Sequence, residues 1–115
     1  MKQQIVSNDA PKADAILSQA VVSNGFIFVS GQVHSRPGGT LVEGSPKEKL
    51  DQIMQNIAAI LKEADTTMDD IVKVVIYVTD MAIMAEVNEE YPKYFKPLLP
   101  AREAVCVKAL PLGAH

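Results

Sequence analysis

Gln19-Ala20-Val21-Val22-Ser23-Asn24-Gly25-Phe26-Ile27-Phe28-Val29-Ser30 is the stretch that orders the rest of the chain. Two short apolar runs flank Asn24-Gly25, and both of these residues tolerate the positive φ that a type I′ turn requires. The twist of that turn suits two antiparallel strands, so a β-hairpin is expected. Its second strand is apolar at four successive positions, Phe26 to Val29, which predicts burial on both faces.

Beyond the hairpin, His34-Ser35-Arg36-Pro37-Gly38-Gly39-Thr40 is rich in breakers and reads as a solvated loop. Ser45-Pro46-Lys47-Glu48 then opens a helix: Ser45 can cap, Pro46 fits the first helical position, and Glu48 completes a capping box. Leu50, Ile53, Met54, Ile57, Ile60, Leu61 and Ala64 follow at helical spacing, with an end expected near Asp65. Ile71–Val78 is a second apolar, β-branched strand. Asp80 can cap a second helix that carries Met81, Met84, Val87, Tyr91 and Phe95 on one side. Pro92 interrupts it, because an interior proline removes a backbone donor and costs about 3 kcal/mol. Pro97 and Pro100 close the element, and a last strand is expected over Ala104–Ala109.

The order is short strand, hairpin, helix, strand, helix, strand, which describes an α+β domain with a mixed sheet. Two helices cover only one face of four or five strands. The other apolar face needs a cover, and another copy of the chain is the simplest one. The Val74–Val78 strand is therefore expected to pack against sister subunits, through whichever of Val74 or Ile76 faces outward.

The chain has 115 residues, enough for one domain. Its composition, 48% hydrophobic and 22% charged, excludes intrinsic disorder. The net charge is −3, from nine Lys and two Arg against fourteen acidic residues, with no block of like charge. A nucleic-acid partner is disfavoured on that ground. Cys106 is the single cysteine, which leaves neither a disulfide framework nor a CxxC knuckle. The apolar runs, Phe26–Val29 and Val74–Val78 among them, are far short of a membrane span. The first residues show no signal or transit features, so a cytoplasmic setting is expected, with a mitochondrial one left as the alternative.

Several strings together are similar to the RidA/YjgF family. They are Ser18-Gln19-Ala20-Val21, Val29-Ser30-Gly31-Gln32, Gln55-Asn56-Ile57, Val72-Lys73-Val74, Val87-Asn88-Glu89 with Tyr91, Pro100-Ala101-Arg102 and Leu110-Pro111-Leu112-Gly113. Each alone is weak, but the ordered set is specific and runs from about residue 3 to the end. The resemblance implies a chorismate-mutase-like fold with two helices on one face of the sheet, assembled as a trimer around a barrel of sheets. Sites would lie in the clefts between subunits. It also implies hydrolysis of reactive 2-imino acids to 2-oxo acids and ammonia, with no cofactor. Other members of the family are described as endoribonucleases or translation inhibitors. The family continues past the Leu-Pro string into a strand with a glutamate that activates water. This chain reads as one domain over residues 1–115 that lacks that strand.

By the same resemblance Arg102 is the carboxylate anchor. A guanidinium grips a carboxylate through two parallel hydrogen bonds, which lysine does not match. The plainer alternative is a surface ion pair with Glu103, a carboxylate that would compete with substrate. Ser30 and Gly31 would orient the ligand with backbone groups near Ala104; a simple strand-end turn explains them equally well. Asn88 sits four residues after Met84 and three before Tyr91, as a ligand contact or a local bridge. Leu17 and Met84 stand where the family carries aromatic pocket residues, which keeps an apolar wall without ring geometry. Cys106 is expected to be a small buried hydrophobe. Neither His34 nor His115 has metal-ligand spacing, and no metal is expected. Three readings follow: an imine deaminase, a non-catalytic binder of a small 2-oxo or 2-imino carboxylic acid, and, with least physical support, a ribonuclease.

Overall fold

The computed structural model describes residues 1–115. Strands β1 (Gln3–Ile5), β2 (Ala20–Ser23) and β3 (Phe26–Val29) form an antiparallel sheet in the order β1-β2-β3, with Ala20 opposite Val29 and Ile5. Asn24 and Gly25 both have positive φ, 52° and 80°, so the type I′ hairpin forms as its dipeptide dictates. Helix α1 spans Pro46–Glu63, and β4 (Lys73–Val78) is followed by α2 (Met84–Glu90) and β5 (Ala101–Cys106). β4 and β5 pair in parallel as a second, two-stranded sheet, with Val74 opposite Arg102 and Val78 opposite Cys106.

The helix ends obey local chemistry. The Ser45 hydroxyl accepts from the Glu48 N–H at 3.2 Å, while the Glu48 carboxylate reaches back to the Ser45 N–H. Asp80 caps a 3₁₀ turn, Met81–Ile83, that leads into α2. At Pro92 the backbone tightens into another 3₁₀ turn, Tyr91–Tyr94, so the break falls where the missing donor requires it.

Helix α1 serves two cores. Leu50 and Met54 join Val78, Met84, Val87 and Tyr91 against the second sheet. Ile60 joins Ile5, Ala10 and Ala20 against the first. Both sheets are thus covered on their helix side alone, which corrects the expectation that the apolar strands are buried on both faces. Phe26 and Phe28 are 60% and 63% exposed, and Val75, Tyr77 and Val105 are also open. Val74 and Ile76 pack inward on the core, so neither faces outward as expected; the outward positions of β4 are Val75 and Tyr77.

Two further expectations are corrected. The last strand begins three residues earlier than Ala104 and stops at Cys106, because β4 offers a ladder partner only from Lys73 to Val78. The loop after β3 is not uniformly solvated: His34 and Ser35 are buried, and Ser35 bridges to Leu41 across a narrow antiparallel contact.

Candidate functional site

Alternation along β5 sorts its side chains onto two faces. Glu103 and Val105 point to the open face, where Glu103 pairs with Lys73 at 3.4 Å. Arg102, Ala104 and Cys106 point to the helix side, where Ala104 packs against the core. The Arg102 guanidinium carbon lies 5.0 Å from the centroid of the Tyr91 ring, within cation–π range. Tyr91 is itself held 5.0 Å from the Phe95 ring. The alternative reading of Arg102, an ion pair with Glu103, is not met, and the exposed guanidinium has no carboxylate partner.

Tyr91 is 4% exposed, and its hydroxyl has no hydrogen-bond partner. Burial raises its pKa above the ordinary tyrosine value, and the nearby Arg102 charge partly opposes that shift. The phenol is therefore neutral, an apolar shelf under a cation.

The parallel ladder also orients the backbone. The N–H groups of Ala101 and Val107 donate to the Val72 and Val78 carbonyls, so the odd-numbered residues of β5 pair with β4. The peptide groups of Arg102, Ala104 and Cys106 consequently face the unpaired edge of the strand. Ala104 thus presents one donor and one acceptor beside the anchor. Cys106, expected to be buried, is exposed, at the end of the same row where the ladder with β4 stops. Met84 is buried in the core, whereas Asn88, one turn on, is exposed.

A second group of residues lies on the first sheet. The Ser30 hydroxyl donates to the Ser18 carbonyl at 2.6 Å, which leaves its oxygen as an acceptor. A Cβ added at Gly31 would meet nothing within 4 Å, so the chain's own packing does not require glycine there. Gly31 and Leu17, with Pro11, Val33, Ser35 and Leu112, line a groove of about 130 Å³. No hydrogen bond, ion pair or ring contact joins this group to Arg102 within one chain.

Sequence reasoning missed the buried polar hubs. The Gln19 side chain accepts from Ser7 N–H and donates to the Ser7 and Pro11 carbonyls. Asn56, 0% exposed, donates to the Ser35 carbonyl at 2.8 Å. An amide set within an apolar helical stripe was the available signal. A larger, shallow depression of about 450 Å³ carries both charge signs, including Arg36, Lys47, Asp51 and Glu90. Lys47 is paired there with Glu89 and Glu90, and Tyr94 donates to Asp51.

The family model described as endoribonuclease L-PSP matches residues 7–115. Protein HMF1 of Saccharomyces cerevisiae is 43% identical over 95% of this chain and 84% of its own length. The 2-iminobutanoate/2-iminopropanoate deaminase of Rattus norvegicus is 38% identical over 100% of this chain and 85% of its own. The crystal structure of yeast Mmf1 superposes with a TM-score of 0.95 at 40% identity, covering 99% of this chain and 91% of that one.

Proposed function

This chain belongs to the RidA/YjgF family, also described as endoribonuclease L-PSP, and from that premise we propose that it hydrolyses small reactive 2-imino acids to 2-oxo acids and ammonia. The observation that carries the reading is Arg102: an unpaired guanidinium laid over a buried ring, with its sequence neighbour Glu103 diverted to Lys73. The substrate carboxylate takes both arms of the guanidinium fork. Peptide groups of Ala104 on the open strand edge hold the imine end. Water attacks C2 and gives one proton to nitrogen as the C=N electron pair moves there; the tetrahedral carbinolamine then passes its hydroxyl proton to the amine and expels ammonia as the C2 carbonyl forms. Positioning supplies most of the acceleration, because a bound, oriented imine is already electrophilic.

In this reading the Ser30, Gly31 and Leu17 group of one copy closes over the Arg102 group of another, in a trimer whose sheets meet through their open faces. Phe26, Phe28, Val75 and Tyr77 support that assembly, since so large an apolar face is rarely left to water. The test generates 2-iminopropanoate with an amino-acid oxidase and follows ammonia release. Arg102→Ala is expected to lower kcat/KM by roughly a hundredfold, the scale of a lost charge-assisted pair. Parent-like turnover in that variant would remove Arg102 from the role. One observation favours a binder without turnover: Glu103 points to the face opposite Arg102 and so supplies no acid–base carboxylate beside the anchor. Tight binding of 2-oxobutanoate with no ammonia release would establish that alternative.

A further inference from the structure

His34 and the turn over residues 111–115 are held together by a contact that the proposed chemistry does not use. His34 is 3% exposed. Its Nδ1 lies 2.9 Å from the Val42 carbonyl, an oxygen that can only accept, so Nδ1 carries the ring hydrogen. Nε2 is then a bare acceptor, and the His115 N–H donates to it at 3.2 Å. Lys49 Nζ donates to the main-chain oxygen of His115 at 3.0 Å, and the two imidazoles meet edge to face at 5.6 Å.

The turn needs such restraint. Leu112 and Gly113 both have positive φ, 62° and 74°, and the left-handed region is unfavourable for leucine. Ala114 is buried behind the turn, and its N–H closes onto the Pro111 carbonyl. Leu112 is thereby presented to the groove that Leu17 and Gly31 line.

We infer that His34 is a positioning residue: in its neutral form it pins the 111–115 turn, so that Leu112 completes one wall of the Leu17–Gly31 groove. Protonation at Nε2 places a donor against the His115 N–H donor and breaks the pin. The charged groups facing the ring are Lys49 from α1, His115 from the turn and Glu43 from the loop. Burial, reinforced by the Lys49 and His115 charges, outweighs the Val42 hydrogen bond and the Glu43 charge and lowers the His34 pKa from the usual 6.5. The folded chain thus binds this proton less readily than the unfolded chain. The contribution is complete above 6.5 and is lost as pH falls from there through the folded value.

The pinning stands apart from the proposed reaction; only its effect on substrate rests on that reading. The experiment follows Leu112 methyl signals and the protection factor of the His115 amide by NMR, from about pH 8 down to about pH 4. In the parent both are expected to change together in one step below 6.5. His34→Gln, whose amide keeps one donor and one acceptor at every pH, should abolish the step and still fold. His34→Leu should lower His115 protection at all pH, roughly tenfold or more. His115→Ala keeps the main-chain N–H and should retain the parent's step. A step that persists in His34→Gln, or full protection in His34→Leu, would overturn the inference. With a 2-imino acid bearing an aliphatic side chain, His34→Leu should raise KM roughly fivefold at constant kcat, the share of one lost apolar wall contact. If the NMR step is present while the parent hydrolyses no imine, the pin stands and the proposed reaction falls.

Discussion

On a β-strand, neighbouring side chains leave by opposite faces, and that separates Glu103 from Arg102 more thoroughly than any charge could. Glu103 forms an exposed pair with Lys73, and such pairs contribute little to stability. Glu103→Gln is therefore expected to change urea stability by less than about 0.5 kcal/mol and imine turnover by less than about twofold. A tenfold gain in turnover would show that the carboxylate competes for Arg102 after all. Tyr91 divides into ring and hydroxyl. Tyr91→Phe removes a buried, unpartnered hydroxyl and should stabilise the fold by about 1 kcal/mol in denaturation while preserving activity. Tyr91→Leu removes the shelf and should lower kcat/KM roughly tenfold, at the scale of a cation–π contact. A loss of stability in Tyr91→Phe would mean the hydroxyl finds a partner outside this chain. At this scale the sequence was legible where a residue pair has one use, as with the Asn24-Gly25 turn. It was misleading for His34 and Cys106, whose burial depends on which distant segment lies over them.

Helices were read closely because their ends are chemical events within a few residues. The Ser45–Glu48 box, the Asp80 cap and the Pro92 break all lie where local hydrogen bonding puts them. Ser45→Ala is expected to cost about 1 kcal/mol in chemical denaturation, with little further loss on adding Glu48→Ala, since the two bonds form one reciprocal unit. Fully additive losses would contradict that coupling. Strand limits were less legible, because a strand ends where its partner ends. β5 takes its limits from β4, a residue-to-residue register that no local motif encodes. The same applies to the break between the two sheets, which α1 bridges by giving each a different part of its apolar stripe.

For the whole molecule, the apolar pattern marked both faces of the strands for burial, whereas the chain itself covers only one. The helices take one side, and Phe26, Phe28, Val75, Tyr77 and Val105 are left on the other. Burying side chains of this size contributes about 1.5–3 kcal/mol each, so a shared face would hold copies together firmly. Val75→Glu is expected to yield a folded monomer in sedimentation analysis and to abolish imine turnover, whereas an oligomeric, active Val75→Glu protein would place the interface elsewhere. The central claim is that one site draws Arg102 from one copy and Gly31 from another. Gly31→Val has room to fold within its own chain, yet should be inactive if a second copy or a ligand approaches there. The decisive measurement mixes Arg102→Ala and Gly31→Val chains in equal amounts by refolding together, then assays ammonia release from 2-iminopropanoate. Random assembly pairs an intact Arg102 with an intact Gly31 in about a quarter of the shared clefts, so about a quarter of parent activity should return. Mixed oligomers as inactive as either variant alone would contradict a site shared between copies.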